Sequence, residues 1–475
     1  MNSLKSLYVF SFPISALIGL LPLVANASNS TIEEEMFGGA TQSGPASAAP
    51  TEQLKAAPSE ASVPQQSEDK NSETLTLGGR LELQATLLKS SSNSFGDSPV
   101  NQSTGAELYL DSRPTDDLRG FVKGALTQRK APGTAGSQSV SNDISLYEMW
   151  IKWGGKSAIY TTVGKQKLKW GAASFWNPTD FLAVQNKDPL ATYDIRPGAN
   201  LVKLHMPFEK SGHNLYAIVD LENTTSAHSP RLATRAEFNY GFGDFTGELT
   251  TTLAGGKDQP LRFGLDLSTG LGPVDLILES AWTRRSNQKF YEKITTENGN
   301  FEFKNRDRAK SAIPQVVAGL RYDIKYSDSD SANVSVEYFW NDAGYSDVAL
   351  EAYSFIQGQT QRLYLANRYA AASLVLAQPG SFNDSTLIFS ALANLTDKSW
   401  LARTSLSHKI STRSRIEFAI AKTGGAGEFS GGIPRSVVDK VKSSANLPTA
   451  ARDALDRVSG VQQDFTLSLT AGIDL

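Results

Sequence analysis

The chain has 475 residues, 40% of them hydrophobic and 20% charged, with a formal net charge of -3 and no Cys. Near-neutral charge argues against nucleic acid as a partner, and the lack of Cys excludes disulfides, thiolate metal sites and a lipidated N-terminal Cys. The mean hydropathy of -0.29 looks like that of an ordinary soluble protein, but membrane barrels give the same average because their lumen and loops are polar.

Residues 1–5 are short and basic, 7–24 are mostly apolar, and Ala25-Asn26-Ala27 offers an A-x-A cleavage site. This predicts a secretory signal peptide over 1–27 rather than a membrane anchor. Beyond it no apolar run approaches the ~20 residues that a spanning helix needs, so only strands could cross a membrane. Residues 28–73 are rich in Ser, Ala, Pro, Gln and Glu and hold almost no large apolar side chains. Such a segment buries too little surface to offset the entropy of ordering, which predicts a disordered periplasmic arm. Within it Glu33-Glu34-Glu35-Met36-Phe37-Gly38-Gly39 forms an acidic-aromatic patch, suited to a periplasmic partner or to the mouth of a barrel.

From 74 to 475 the chain breaks into segments of ~9 to 14 residues in which apolar and polar side chains alternate, the length of a tilted membrane strand. In the first, Leu81, Leu83, Ala85 and Leu87 oppose Arg80, Glu82, Gln84 and Thr86. The last runs from Asp464 to Leu475, with Phe465, Leu467, Leu469, Ala471 and Ile473 on one face. About eighteen such segments are predicted, or sixteen if 369–377 and a neighbour are not strands. Short links such as 241–244 and 269–272 alternate with longer ones such as 170–200, 286–309, 342–366 and 424–463. A soluble sandwich has no reason to sort its loops this way, whereas outer-membrane barrels do. The predicted fold is therefore all-β: a transmembrane antiparallel up-and-down β-barrel in the cell outer membrane, in contact with its lipid. Tyr147, Trp153, Tyr240, Trp282, Tyr338 and Trp340 lie where interfacial girdles would sit.

Little in the chain suggests an enzyme or a cofactor. His205, His213, His228 and His408 lack metal-binding spacing, and neither a G-x-S-x-G elbow nor a P-loop is present. More telling are cations that the alternation places on one side. Taking 160–169 as one strand puts Lys165, Lys167 and Lys169 opposite Tyr160, Thr162 and Leu168, and parity adds Arg119, Lys123, Lys152, Lys203 and His205. A basic wall of this kind would line a pore and concentrate anions, unless Glu107, Asp111, Asp117 and Glu148 pair with it across strands. Asp266, Asp275, Glu279 and Glu337 would make the opposite wall acidic.

The densest motif lies in the third long connection. Gly164-Lys165-Gln166 is followed by Trp170-Gly171 and Phe175-Trp176-Asn177-Pro178-Thr179-Asp180, then by Asp194-Ile195-Arg196-Pro197-Gly198. So apolar a loop is costly to leave in water, which predicts that 170–200 folds inward as a constriction built on Trp170, Phe175, Trp176, Asn177, Asp180 and Arg196. The motif resembles the signature of a loosely defined group of porin-like bacterial outer-membrane barrels, broadly similar in shape to alginate-export porins and capsule-anchoring barrels. That resemblance covers roughly twenty residues and implies a passive channel for small polar or anionic solutes, or a plugged barrel that binds or exports a surface polysaccharide. The chain departs from the group in ending in Leu475 where many members end in Phe, a position read by the barrel-assembly machinery. Finally, 433–459 carries apolar residues at helical spacing, which predicts one or two short helices in the last outer loop.

Overall fold

Strict period-two alternation gives each segment one apolar and one polar face, and a closed sheet satisfies every backbone group without exposing an edge to lipid. The computed structural model describes residues 75–475 except 91–93, 133–137, 155–157, 188–195, 223, 225–229, 243–244, 258, 298–300, 328–329, 362, 426, 431–434, 445–446, 448 and 459–462. The signal peptide expected at 1–27 and the arm expected at 28–73 lie outside the described residues.

The strands are Leu75–Ser90 (β1), Val100–Thr115 (β2), Leu118–Pro132 (β3), Gln138–Trp153 (β4), Tyr160–Gln166 (β5), Ala199–Phe208 (β6), His213–Asp220 (β7), Arg231–Phe242 (β8), Phe245–Gly255 (β9) and Leu261–Leu271 (β10). They continue as Val274–Arg284 (β11), Phe290–Thr295 (β12), Phe301–Arg306 (β13), Ile313–Lys325 (β14), Ser331–Asn341 (β15), Arg368–Ala377 (β16), Ser385–Asn394 (β17), Trp400–Ser411 (β18), Ser414–Gly424 (β19) and Gln463–Asp474 (β20). Eighteen of them form one antiparallel sheet in which each strand pairs with its neighbours in sequence, and β1 closes on β20. The segment at 369–377 is therefore a strand, and the count is eighteen rather than sixteen. β12 and β13 stand apart as a hairpin inserted between β11 and β14.

Outward positions carry the lipid face. Leu81, Leu83, Ile144, Ile151, Leu253, Leu320, Val336, Phe418 and Leu469 are all exposed large apolar side chains. Trp153, Tyr240, Tyr322, Tyr338, Trp340 and Trp400 are exposed among them, as interfacial aromatics are in membrane barrels. One rim is closed by short turns, such as 116–117, 209–212, 272–273 and 412–413, and the other carries the long connections. This is the architecture of an outer-membrane β-barrel, with the long loops on the outer side. The strand β4 changes phase once. Lys123 pairs with Glu148 while Gly124 pairs with Leu146, so Tyr147 is the extra residue of a bulge. The shift keeps Ile144 and Leu146 on the lipid side together with Met149 and Ile151.

The outer loops pack into a cap. Three helices, Val348–Ile356 (α1), Arg435–Lys442 (α2) and Thr449–Val458 (α3), join the β12–β13 hairpin. Their buried residues Tyr291, Phe303, Tyr353, Val438, Val441 and Leu455 form one cluster, and the Phe303 and Tyr353 rings stack at 4.2 Å. Asp347 caps α1, accepting a hydrogen bond from the Ala349 N–H at 2.7 Å.

A charged side chain on the lipid face tests the orientation. Leu320→Arg, mid-strand and 53% exposed, is expected to destabilise the barrel by about 2–4 kcal/mol in reversible folding into lipid vesicles.

Candidate functional site

After β5 ends at Gln166 the chain turns into the barrel. What draws it there is a wall of inward residues on β6–β16, including Leu201 and Ile218 beside Trp170 and Phe181. Trp176 is fully buried, with its ring 5.4 Å from Phe339 on β15 and 5.6 Å from Tyr369 on β16. Trp170 lies under the Arg235 guanidinium at 5.3 Å and Phe181 under that of Arg262 at 5.8 Å. Removing this much aromatic surface from water contributes on the order of 1.5–3 kcal/mol per ring.

Apolar packing leaves the loop's backbone donors to be satisfied, since an unpaired buried N–H costs about as much as a lost hydrogen bond. Two fully or nearly buried carboxyl groups do this. Glu279 on β11 accepts from the Ala173 N–H at 2.6 Å, from Asn177 Nδ2 at 3.1 Å and from Thr179 Oγ1 at 3.0 Å. Glu337 on β15 accepts from the N–H groups of Ser174 and, at 2.9 Å, Phe175. Arg321 donates to Ser174 Oγ at 2.9 Å and Arg262 to the Phe181 carbonyl at 3.2 Å. Within the loop, Arg196 pairs with Asp180 at 2.8 Å, and Asn177 Nδ2 donates to the Ala173 carbonyl at 2.7 Å. Gly171 makes the approach possible. Its φ is +94°, and a Cβ there would sit 2.6 Å from Glu279 Oε1.

A second set of bonds ties this loop to the outer cap. Trp176 Nε1 donates to the Leu363 carbonyl at 3.3 Å, and the Leu363 N–H donates to Glu428. Glu428 also accepts from the Tyr369 hydroxyl at 2.8 Å and from Asn394 Nδ2 at 3.0 Å. Beside it, Glu351 on α1 is 3% exposed, and its Oε1 has no hydrogen-bond partner among the described residues. Burial, followed by the charges of Asp397 and Glu428, pushes its carboxyl up to about 9.

The six residues expected in the loop, Trp170, Phe175, Trp176, Asn177, Asp180 and Arg196, are brought together here by burial, ring contacts or hydrogen bonds. Of the seven expected pore cations, Arg119, Lys152 and Lys203 fall in one row across β3–β6, and the other four do not join it. Arg119 is held by both oxygens of Asp111, at 2.9 and 3.1 Å, and lies 5.4 Å over the Trp150 ring. Lys123 pairs with Glu107 at 2.9 Å. Lys165 must be moved to the outer face, because its cross-strand neighbour is the exposed Met149 and it shares a face with the exposed Val163 two residues before it. Lys167 and Lys169 lie beyond the end of β5, so the parity that aligned them with Lys165 does not apply.

Lys152 and Lys203 do face inward. Both stand opposite Thr162 on β5 and so share one row across β4–β6. The next row holds Tyr160, His205 and Tyr216 across β5–β7. The His205 and Tyr216 rings stack at 4.5 Å, and Lys152 Nζ lies 5.0 Å over the Tyr160 ring. Of the acids expected to oppose them, Glu279 and Glu337 are committed to the loop and Asp266 pairs with Arg235 at 3.3 Å. That role was legible only as inward polar parity, since nothing in a strand's own sequence shows which distant N–H groups it will receive.

No protein-family model and no curated protein matches this chain. Several solved Pseudomonas outer-membrane porins are similar. Pseudomonas aeruginosa OccK2 (OpdF), crystallised with glucuronate, has a TM-score of 0.47 and 11% identity over 85% of this chain and 99% of that one. Pseudomonas aeruginosa OpdQ has a TM-score of 0.47 and 10% identity over 84% and 98%. Pseudomonas putida OprB has a TM-score of 0.46 and 8% identity over 85% and 94%. At these values the likeness carries nothing about solute, selectivity or gating.

Two outcomes are expected. Glu279→Ala removes an acceptor shared by three donors and leaves the buried Ala173 N–H unpaired, a loss of roughly 1–3 kcal/mol. Protease should then cut the folded barrel within 171–187, while Glu279→Gln should resist. For Glu351, whose folded pKa is raised from 4.5 to about 9, the contribution to cap stability is fully present below about 4.5 and lost as pH rises through about 9. Hydrogen exchange in α1 should therefore quicken over that window beyond its intrinsic pH dependence, and Glu351→Gln should abolish the excess.

Proposed function

We propose that the barrel is a passive channel for small polar or anionic solutes, narrowed by the inward segment 170–200. The observation that carries this reading is asymmetry across the lumen. The loop is fastened by Glu279 and Glu337 to the β11–β15 wall, while the facing β4–β7 wall presents half-buried Lys152, Tyr160, Lys203, His205 and Tyr216. Ammonium groups on a pore wall raise the local concentration of anions and favour their passage. Arg119 and Lys123, already paired with Asp111 and Glu107, add shape more than field.

One observation favours a second reading. The packed cap of α1–α3 and the β12–β13 hairpin is more than a diffusion pore requires, and it would suit a plugged barrel that holds or exports a surface polysaccharide.

Single-channel recording in a planar bilayer separates the two. Steady conductance is expected, with an anion preference by reversal potential that falls by about twofold in Lys152→Gln/Lys203→Gln. A silent wild-type barrel would overturn the channel reading in favour of polymer binding.

A further inference from the structure

The inner face of the barrel carries charges of both signs, but the outer face does not. Parity with the exposed apolar side chains turns Lys89, Lys130, Lys165, Arg284, Arg368 and Lys422 toward the lipid, and among the described barrel-strand residues no Asp or Glu joins them. All of them lie at one rim. Lys89, Lys130, Lys165, Arg284 and Lys422 fall within the last three residues of β1, β3, β5, β11 and β19, and Arg368 opens β16. These are the long-loop ends of their strands, so the cations form a collar at the outer side.

A rim position explains why a charge is tolerated there, since its cost against lipid falls to little near the interface. It explains neither the single sign nor the single rim, because the short-turn rim carries no outward Lys, Arg, Asp or Glu among the same residues. A collar of one sign complements headgroups that carry phosphate.

In one sector aromatic side chains complete the arrangement. The exposed Trp340 on β15 stands directly opposite Arg368 on β16. The Leu395 N–H donates to the Arg368 carbonyl at 3.0 Å, which sets the exposed Leu395 beside it. Next in order, the exposed Trp400 on β18 lies across β19. A Cβ on Gly424 would sit 2.4 Å from its ring, and Lys422 is two residues away on the same face. Indole rings favour the headgroup level of a bilayer, and guanidinium and ammonium groups bind phosphate by charge-assisted hydrogen bonds. Neither Arg368 nor Lys422 has an ion-pair partner among the described residues. Lys89, by contrast, lies 3.9 Å from Asp464 and is not counted in the seat.

We infer that the outer rim of β15–β19 is a binding seat for the phosphate groups of outer-leaflet lipid, held by Arg368 and Lys422 beside Trp340 and Trp400. These side chains point away from the lumen, so the inference is independent of the channel reading.

The full chain, folded in detergent, is titrated with bisphosphorylated lipid A and with the same lipid stripped of its phosphates, and adducts are measured by native mass spectrometry. The phosphorylated lipid is expected to be retained preferentially. Each cation contributes about fivefold in affinity, so Arg368→Gln/Lys422→Gln should weaken binding by roughly thirtyfold. Arg368→Lys/Lys422→Arg keeps both charges and should stay within about threefold of wild type, which separates loss of the seat from loss of the fold. Lys325→Gln/Lys409→Gln, at the opposite rim, should change nothing. Equal retention of the two lipids, unchanged binding in Arg368→Gln/Lys422→Gln, or an equal loss in the opposite-rim pair would overturn the inference. So would displacement of the lipid by inorganic phosphate at the same concentration, which would make the seat one for a free anion.

Discussion

The grip of Glu279 and Glu337 on the backbone of residues 173–175 is the interaction on which the interior depends. A segment led into a barrel loses its water, and each of its N–H groups then needs an acceptor. Two carboxyl groups on strands that are separated in sequence by β12–β14 supply several acceptors at once, which fixes the loop in both position and orientation. Much of the neighbourhood makes sense only as a consequence. Gly171 has no side chain because a carboxyl oxygen stands where its Cβ would be, and Gly264 leaves the space that Phe181 fills. Trp176 then completes a ring cluster with Phe339 and Tyr369 and passes a hydrogen bond on to Leu363. The outer cap and the inward loop thus share one chain of contacts.

The same grip decides the electrostatics of the lumen. Two of the acids that would oppose the cations, Glu279 and Glu337, are taken up by the loop's backbone donors, and Asp266 is taken up by Arg235. Elsewhere the inner wall is largely neutralised at short range, by Arg80 with Asp474 at 2.6 Å, Arg119 with Asp111 and Arg403 with Glu417 at 2.8 Å. Pairs of this kind hold strands in register more than they attract solutes.

Barrel, strand number and loop polarity were legible because side-chain period and loop length are local properties of the sequence. The two helices in 433–459 were legible for the same reason. The burial of Trp170, Phe175, Trp176 and Phe181 could be read from a run of aromatics that no solvated loop would carry. What escaped was the meaning of parity. The residues of β5 were aligned on a strand that runs on to Lys169, but it stops at Gln166, and Thr162 rather than Lys165 faces the lumen. A short strand with Gly164 at a positive φ has too few alternations to reveal its phase. The bulge at Tyr147 shows the same difficulty, since one extra residue reverses which numbers point outward. Ion pairing and loop anchoring escaped because both join residues remote in sequence.

The seam between β1 and β20 bears on how this molecule comes to exist. It aligns Arg80 with Asp474 and Lys89 with Phe465, joining the two ends of the sheet. Loop-closure entropy must be met before such a pairing returns any stability. Glu279 and Glu337 also follow the loop they hold by more than 100 residues. The interior segment must therefore wait for strands that arrive later, exposing Trp170, Phe175 and Trp176 meanwhile. Folding is thereby ordered in time: a sheet assembles first, a lumen forms as the seam zips, and only then does the loop find its two acceptors. An intermediate with those tryptophans still wet is the state in which this chain is most open to aggregation and most in need of a chaperone.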